Sequence, residues 1–429
     1  MKGIRIGICA LVAFSVFAHG AVEPWSQTIL EIGAAILLLW WGLLFASGVA
    51  PVVRWNWLLA PVAALLALGA VQYLAGLTAV SFLTKIELLK FSALGIILFL
   101  AVQAFETLGQ WHGFVWFILA LGFLASAIGI LQYFTFNGKL YWFRELPLGG
   151  MPFGPYVNRN HFAGLIELIV PTGLSILVLR AEERDRMALL GVLTLLPIGA
   201  LFLAASRGGV GAFFLEVCLV LILAFLCRRG RSQLVAGGMI LLAAGTLVAW
   251  LGIGPTLDRF AEYRKREVTE GRRAEMAKDA WRIFLDHPVL GTGLGTFQEV
   301  FPRYETLYDG LVVDHAHNDY AEGLAETGLI GGLFGLAFLV SLFQGAWVRI
   351  ALAKSALDLA IHIGALAACC GLLAHSLVDF NLHIPSNALL FLLQGALATS
   401  FTPSGRPLPA AIRRKHLHQS GIELSRETV

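Results

Sequence analysis

The chain has 429 residues, 58% of them from the apolar set AVILMFWYC and only 14% charged, against the roughly 25% charged residues of an ordinary soluble domain. A formal net charge of +3 spread over that length is no phosphate-binding field. Composition therefore excludes a soluble enzyme, a disordered chain and a nucleic-acid binder, and makes the bilayer the solvent.

A membrane-spanning helix needs about 20 mostly apolar residues. In chain order the sequence predicts twelve such runs, at about 4–20, 28–50, 57–76, 88–105, 113–134, 161–180, 187–205, 209–227, 233–252, 328–347, 358–378 and 387–402. The first follows Lys2 and Arg5 and has the outline of a cleaved signal segment. A second apolar run follows within ten residues and no hydrophilic domain does, so it is read as a span. Cys9, Cys218, Cys227, Cys369 and Cys370 lie in or beside apolar runs, which gives neither a disulfide framework nor a Cys-x-x-Cys metal site.

Orientation follows from Lys and Arg, which stay cytoplasmic in short loops. Placing the N-terminus inside puts 16 of the 31 basic residues there, among them Arg54, Arg180, Arg184, Arg186, Arg228, Arg229, Arg349 and Lys354. Nine of the rest fall in one long outer loop at about 253–327, where the charge rule loses force. The expected architecture is an all-α polytopic membrane protein with about twelve transmembrane helices and both termini cytoplasmic. Residues 1–402 form a single integral membrane domain, and 403–429, with Pro403, Pro407 and Pro409, a cytoplasmic tail.

Polar residues are costly in a membrane protein unless they act, so their clustering matters. Four clusters share the expected outer face: Pro152 to Phe162 with Asn158-Arg159-Asn160-His161, the Ser206-Arg207-Gly208-Gly209 turn, Gly271-Arg272-Arg273 leading an amphipathic helix with Met276, Ala280, Ile283 and Phe284 on one face, and Asp314-His315-Ala316-His317-Asn318-Asp319-Tyr320. Asp379-Phe-Asn-Leu-His383 joins them, as an acceptor-lining segment or a helix-end turn.

In this order, together with Asp286-His287-Pro288, Gly291-Thr-Gly293-Leu-Gly295 and Glu326-Thr-Gly328, these motifs resemble the O-antigen ligase and O-antigen polymerase superfamily. The resemblance covers about 150–390. It implies a metal-independent, inverting glycosyltransferase of the bacterial cytoplasmic (inner) membrane. The enzyme would work on the outer side, move a glycan from undecaprenyl pyrophosphate to an acceptor hydroxyl, and need no cofactor. The implied partners are the undecaprenyl-pyrophosphate-linked donor, a glycan or lipid A-core acceptor, and membrane lipids, with no nucleic acid. An O-antigen or exopolysaccharide polymerase is the alternative within the superfamily. A polysaccharide transporter, which should show repeated halves and polar sites near mid-membrane, is the competitor outside it.

The chemistry of the residues points the same way. Outside the membrane there is no nucleotide sugar, so the donor must be activated on a lipid and the leaving group is a pyrophosphate. Guanidinium groups suit it, because they make permanently charged, bidentate contacts to phosphate oxygens. Arg207 and Arg272 are the candidates, with Gly208 and Gly209 read as letting the ligand approach the backbone. A headgroup anchor is the other reading of Arg207. His317 is the candidate base, oriented by Asp314 or Asp319, since imidazole exchanges its proton near neutral pH. The resemblance also selects His317, which directly precedes Asn318.

Asn158, Arg159, Asn160, His161, Arg273, His315, Asn318, Asp319 and His383 complete the expected substrate-binding set. Where this chain has Arg159, proline is common in the family, which leaves a pyrophosphate contact or a surface charge open. His315-x-His317 near Asp319 and Glu322 lacks the helical His-Glu-x-x-His zinc pattern, so no metal site is expected. The Gly291 to Gly295 run lacks the Gly-Lys-Ser/Thr of a nucleotide loop and reads as a tight turn. Glu167 and Glu216, about two turns inside their spans, are expected to pair with an active-site arginine or to hold Arg207 in place.

Overall fold

The computed structural model describes residues 1–50, 52–146, 151–228, 267–308, 310 and 312–400, with isolated positions between 235 and 246. Among the described residues the ordered structure is helical, with three isolated bridges and no named strand. The principal helices are α1 (Lys2–Phe17), α2 (Pro24–Ala46), α3 (Leu59–Leu74), α4 (Ser81–Ala104), α5 (Leu108–Phe134), α6 (Arg159–Leu179), α7 (Arg184–Ala204), α8 (Arg207–Arg228), α9 (Glu267–Asp286), α10 (Asp319–Leu352), α11 (Ala356–His375) and α12 (Pro385–Thr399). Eleven of these fall on expected spans, and α9 is the expected amphipathic helix. The expected span at 233–252 lies almost wholly outside the described residues, as does the 403–429 tail.

Eight of these helices, α2, α4 to α8, α10 and α11, are long and apolar enough to cross a membrane. The helices at the expected spans 4–20, 57–76 and 387–402 are shorter, at 16, 16 and 15 residues. The chain leaves α3 through Gly76 at φ +66° and enters α12 through Pro385, so turn chemistry trims both.

Caps set several starts. Thr107 and Gln110 form a reciprocal capping box on α5, and the side chains of Asn158, Asn318 and Ser355 accept from the first-turn amides of α6, α10 and α11. The α6 helix is the most enclosed of the spans and packs against α5, α7, α8, α11 and α12. Its crossing with α11 is close because Gly364 has no side chain. A Cβ there would sit 2.4 Å from the Thr172 backbone.

Hydrogen bonds tie the α5–α6 connection to the α1–α2 connection, and the end of α3 to the α9–α10 connection and the first turns of α10. Tyr141 Oη donates to the Phe17 carbonyl (3.0 Å), the His19 ring meets the Pro155 carbonyl (3.3 Å), and Gln72 Nε2 donates to the carbonyls of Leu290 (2.6 Å) and Glu326 (2.9 Å). A small second core stands at this end of the bundle, built from Met276, Ala280 and Ile283 of α9 with Phe297, Phe301, Ala316 and Ala325.

The Gly291-Thr-Gly293-Leu-Gly295 run is a tight turn as expected, with φ of +69°, +109° and +72° at its glycines. Its Thr292 and Gly293 amides donate to Ala325 and Glu326, next to Gly328, where α10 breaks at φ +61°, ψ −163°. A Cβ on Gly291 or Gly328 would fall within 2.5 Å of the opposing backbone, at Glu326 and Val289 respectively. The break explains why apolar patterning predicted a span only from about 328. Residues 319–327 form separate polar turns ahead of it.

Candidate active site

Asp379, just past the end of α11, is fully buried at the centre of the crowded end. Asn160 donates to its Oδ2, the Phe380 amide donates to its Oδ1 (2.9 Å), and His317 Nδ1 lies 3.4 Å from Oδ1. Arg273 Nη1 stands 3.8 Å from Oδ2 while donating to the Val378 carbonyl (2.9 Å), and His161 Nε2 is 4.0 Å from Oδ1. Burial alone would raise this carboxyl's pKa. The His317 hydrogen bond and the electrostatic influence of His161, His375 and Arg273 outweigh it and hold Asp379 well below the usual carboxylate range.

His317 has φ +50°, a left-handed conformation uncommon for a side chain of this size, immediately before the Asn318 cap. Sequence reasoning offered Asp314 or Asp319 as its orienting acid. Asp319 is instead taken by His383, and the carboxylate beside His317 is Asp379, 62 residues further on. The pairing needs α11 to fold back on α10, which local spacing cannot reveal. With Nδ1 turned to a carboxylate, the opposite nitrogen, Nε2, is left to act as an acceptor.

The Phe380 ring spaces three histidines: His315 stacks on it (4.3 Å between centroids), and His161 and His317 meet it edge-on at 4.7 and 4.9 Å. Behind it lies a second network. His315 Nδ1 meets Glu322 Oε1 (2.7 Å), His383 Nε2 lies 3.3 Å from the same oxygen, and His383 Nδ1 meets Asp319 Oδ1 (2.7 Å). Burial opposes the charged form of His383, but the charge of Glu322 and the bond to Asp319 push its pKa up to about 10. His315, Glu322 and His383 are the one group among the described residues whose ligating atoms lie close enough, within 4.8 Å, to hold a metal ion.

The expected arginines separate. On α9, Arg273 reaches Asp379, whereas the adjacent Arg272 turns to Glu305, with Nη2 and Oε1 3.7 Å apart. Arg207 is exposed at the first position of α8, after Ser206, whose Oγ accepts from the Gly209 amide (3.2 Å). Gly208 and Gly209 do not open the backbone to a ligand. A Cβ on Gly208 would strike the His375 ring at 2.5 Å and one on Gly209 the Ala163 Cβ at 2.5 Å, so both serve close helix packing. Glu167 is paired with His375 Nδ1 (2.8 Å) and not with an arginine, and Glu216 packs over Gly371. Asn158 and Asn318 are helix caps, and Arg159 lines a separate cleft on the other side of the α6 start.

Sequence reasoning did not select Glu322, Phe380 or His375, and saw Asp379 only within a possible turn. An acid directly after an apolar helix, in Asp379-Phe-Asn-Leu-His383, was the available signal, since a charge there must be paired if buried.

Fold and site together define a polytopic helical membrane protein with a buried histidine–carboxylate centre and arginines at one end. Residues 192–336 match the family model described as O-antigen ligase, a stretch that holds Arg207, α9, His315, His317 and Glu322. Over this stretch, about a third of the chain, the sequence is similar to the O-antigen ligase family, in line with the resemblance its motifs carry. The search of curated proteins found no match.

Proposed function

We propose that this protein transfers a glycan from undecaprenyl pyrophosphate to an acceptor hydroxyl, without a metal ion and with inversion, on the outer side of a bacterial cytoplasmic membrane. In this reading the chain spans the membrane twelve times with both termini cytoplasmic, and the crowded end faces outward. The observation that carries it is the His317–Asp379 pair, set beside Arg273 within an O-antigen ligase-type domain.

His317 Nε2 takes the acceptor proton while the acceptor oxygen bonds to the anomeric carbon. The bond from that carbon to the pyrophosphate oxygen breaks on the opposite face, and Asp379 supports the imidazolium that forms. Arg207 and Arg272 meet the charge growing on the leaving pyrophosphate, and Arg273 is the third guanidinium within the same end. Asn160, His161, His315, Asn318, Asp319 and His383 shape the acceptor side.

Purified protein, given an undecaprenyl-pyrophosphate-linked glycan and an acceptor, should transfer at an unchanged rate in EDTA. Activity abolished by EDTA and restored by a divalent ion would reject the metal-free mechanism. Deletion of the gene with glycan gel analysis separates ligase from polymerase. Unattached long chains mark a ligase and single repeat units a polymerase.

A further inference from the structure

The cleft that Arg159 lines lies between the end of α5, the start of α6 and the end of α7 and has a volume of about 220 Å³. Tyr133, Phe136, Met151 and Phe153 give it apolar walls. Gly129 lets the Phe153 ring pack directly on α5 in this wall, because a Cβ there would sit 2.5 Å from that ring.

Two donors face this space. Gln132 is 2% exposed, and its Oε1 is occupied by the Tyr141 amide (3.1 Å), which fixes the amide group and leaves Nε2 toward the cleft. That Nε2 is buried with no hydrogen-bond partner among the described residues. A buried amide donor left unsatisfied costs about 1 to 3 kcal/mol, so an acceptor-rich ligand gains by filling the place. Arg159 is the second donor, at the first position of α6, where the helix dipole also favours an anion. Leu203 and Ala204, also in the wall, lead directly into the Ser206-Arg207 turn.

We propose that this cleft seats the phosphate end of a polyprenyl chain, with Gln132 and Arg159 on the phosphate oxygens and Tyr133, Phe136 and Phe153 against the first branched hydrocarbon unit. This deepens, and rests on, the proposed lipid-linked donor. A cleft of about 220 Å³ has room for a phosphate and the first branched hydrocarbon unit.

The test uses the full chain in phosphatidylcholine nanodiscs and a diazirine-bearing polyprenyl phosphate without glycan, with the crosslinked peptides mapped by mass spectrometry. Label should fall within residues 131–136 or 151–159. Arg159→Gln should lower it on the order of 10- to 150-fold, the worth of a charge-assisted contact. Gln132→Glu preserves the bond to Tyr141 and the shape but puts an anion in the cleft, and should lower labelling at least as far. Both variants are checked for an unchanged elution profile.

Labelling elsewhere, or undiminished in both variants, overturns the proposal. So does equal competition by phosphatidylglycerol, which marks a general headgroup site, or by millimolar inorganic phosphate, which marks a free-anion site. Intact labelling in a protein that transfers no glycan would sink the proposed function and leave the cleft standing. Transfer by wild-type protein with no label in the cleft would do the reverse.

Discussion

His317 holds its ring in a left-handed backbone position between a buried carboxylate and a helix cap, an arrangement with little slack. If it is the base, His317→Ala should reduce turnover by about 10²- to 10⁴-fold in a protein that still folds. Asp379→Asn should lose much of the same factor, and the double variant should be no slower than His317→Ala alone, because the two act as one unit. Rate measurements on the four proteins decide it; independent, additive losses would remove Asp379 from the mechanism. For the arginines, lysine keeps the charge and loses the planar fork. Arg207→Lys and Arg272→Lys should each cost roughly 10- to 150-fold in kcat/KM with every acceptor tested, since the donor is shared. A lysine variant at wild-type rate would make that arginine a headgroup anchor. His383 brings a pH dependence. Its pKa is raised from the ordinary 6.5 to about 10, so the stability it contributes is complete below 6.5 and is lost as pH rises through about 10. Thermal stability in detergent should therefore fall between about pH 6.5 and pH 10, and His383→Gln should flatten that slope.

At the scale of elements, the break in α10 and the glycine turn docked on it set the height of His317 above the apolar part of the helix. Gly328→Ala forces a Cβ to 2.4 Å from the Val289 backbone at a φ and ψ that side chains do not adopt. It should cost at least about 1 to 3 kcal/mol in stability and lower transfer as the His315–Glu322 network shifts; unaltered unfolding and activity would show that the break is not structural. Helix positions were readable in the sequence because apolar length, caps and Gly/Pro punctuation are local signals. Asn158 and Ser206 sit within a few residues of the span starts expected at about 161 and 209, whereas Asn318 caps α10 about ten residues ahead of the expected 328. The pairings His317–Asp379, His383–Asp319 and Glu167–His375 were not readable, for they join residues 62, 64 and 208 apart. Gly208 and Gly209 misled for the same reason. A glycine states that something comes close without saying whether it is a ligand or a neighbouring ring.

For the molecule as a whole, the proposed orientation makes accessibility the deciding measurement. In a cysteine-free background, Tyr308→Cys in the loop after α9 should react with an impermeant thiol reagent applied to intact spheroplasts. Glu183→Cys between α6 and α7 should react only after permeabilisation. Both side chains are well exposed, so a missing reaction reflects sidedness and not burial; the opposite pattern would turn the proposed site to the cytoplasm. The glycine seam also bears on how such a protein could acquire new specificity. The turn at 291–295 interlocks backbone to backbone with 326–328 and touches α3 and the α3–α4 turn through Gly69–Leu294 and Gly293–Thr78. A recombination junction placed at the loop ends would cut through mated surfaces. Segments that exchange successfully between relatives should therefore carry α3, the α3–α4 turn, α9 and the first turns of α10 together, so the heritable module is larger than the loop that faces the substrate.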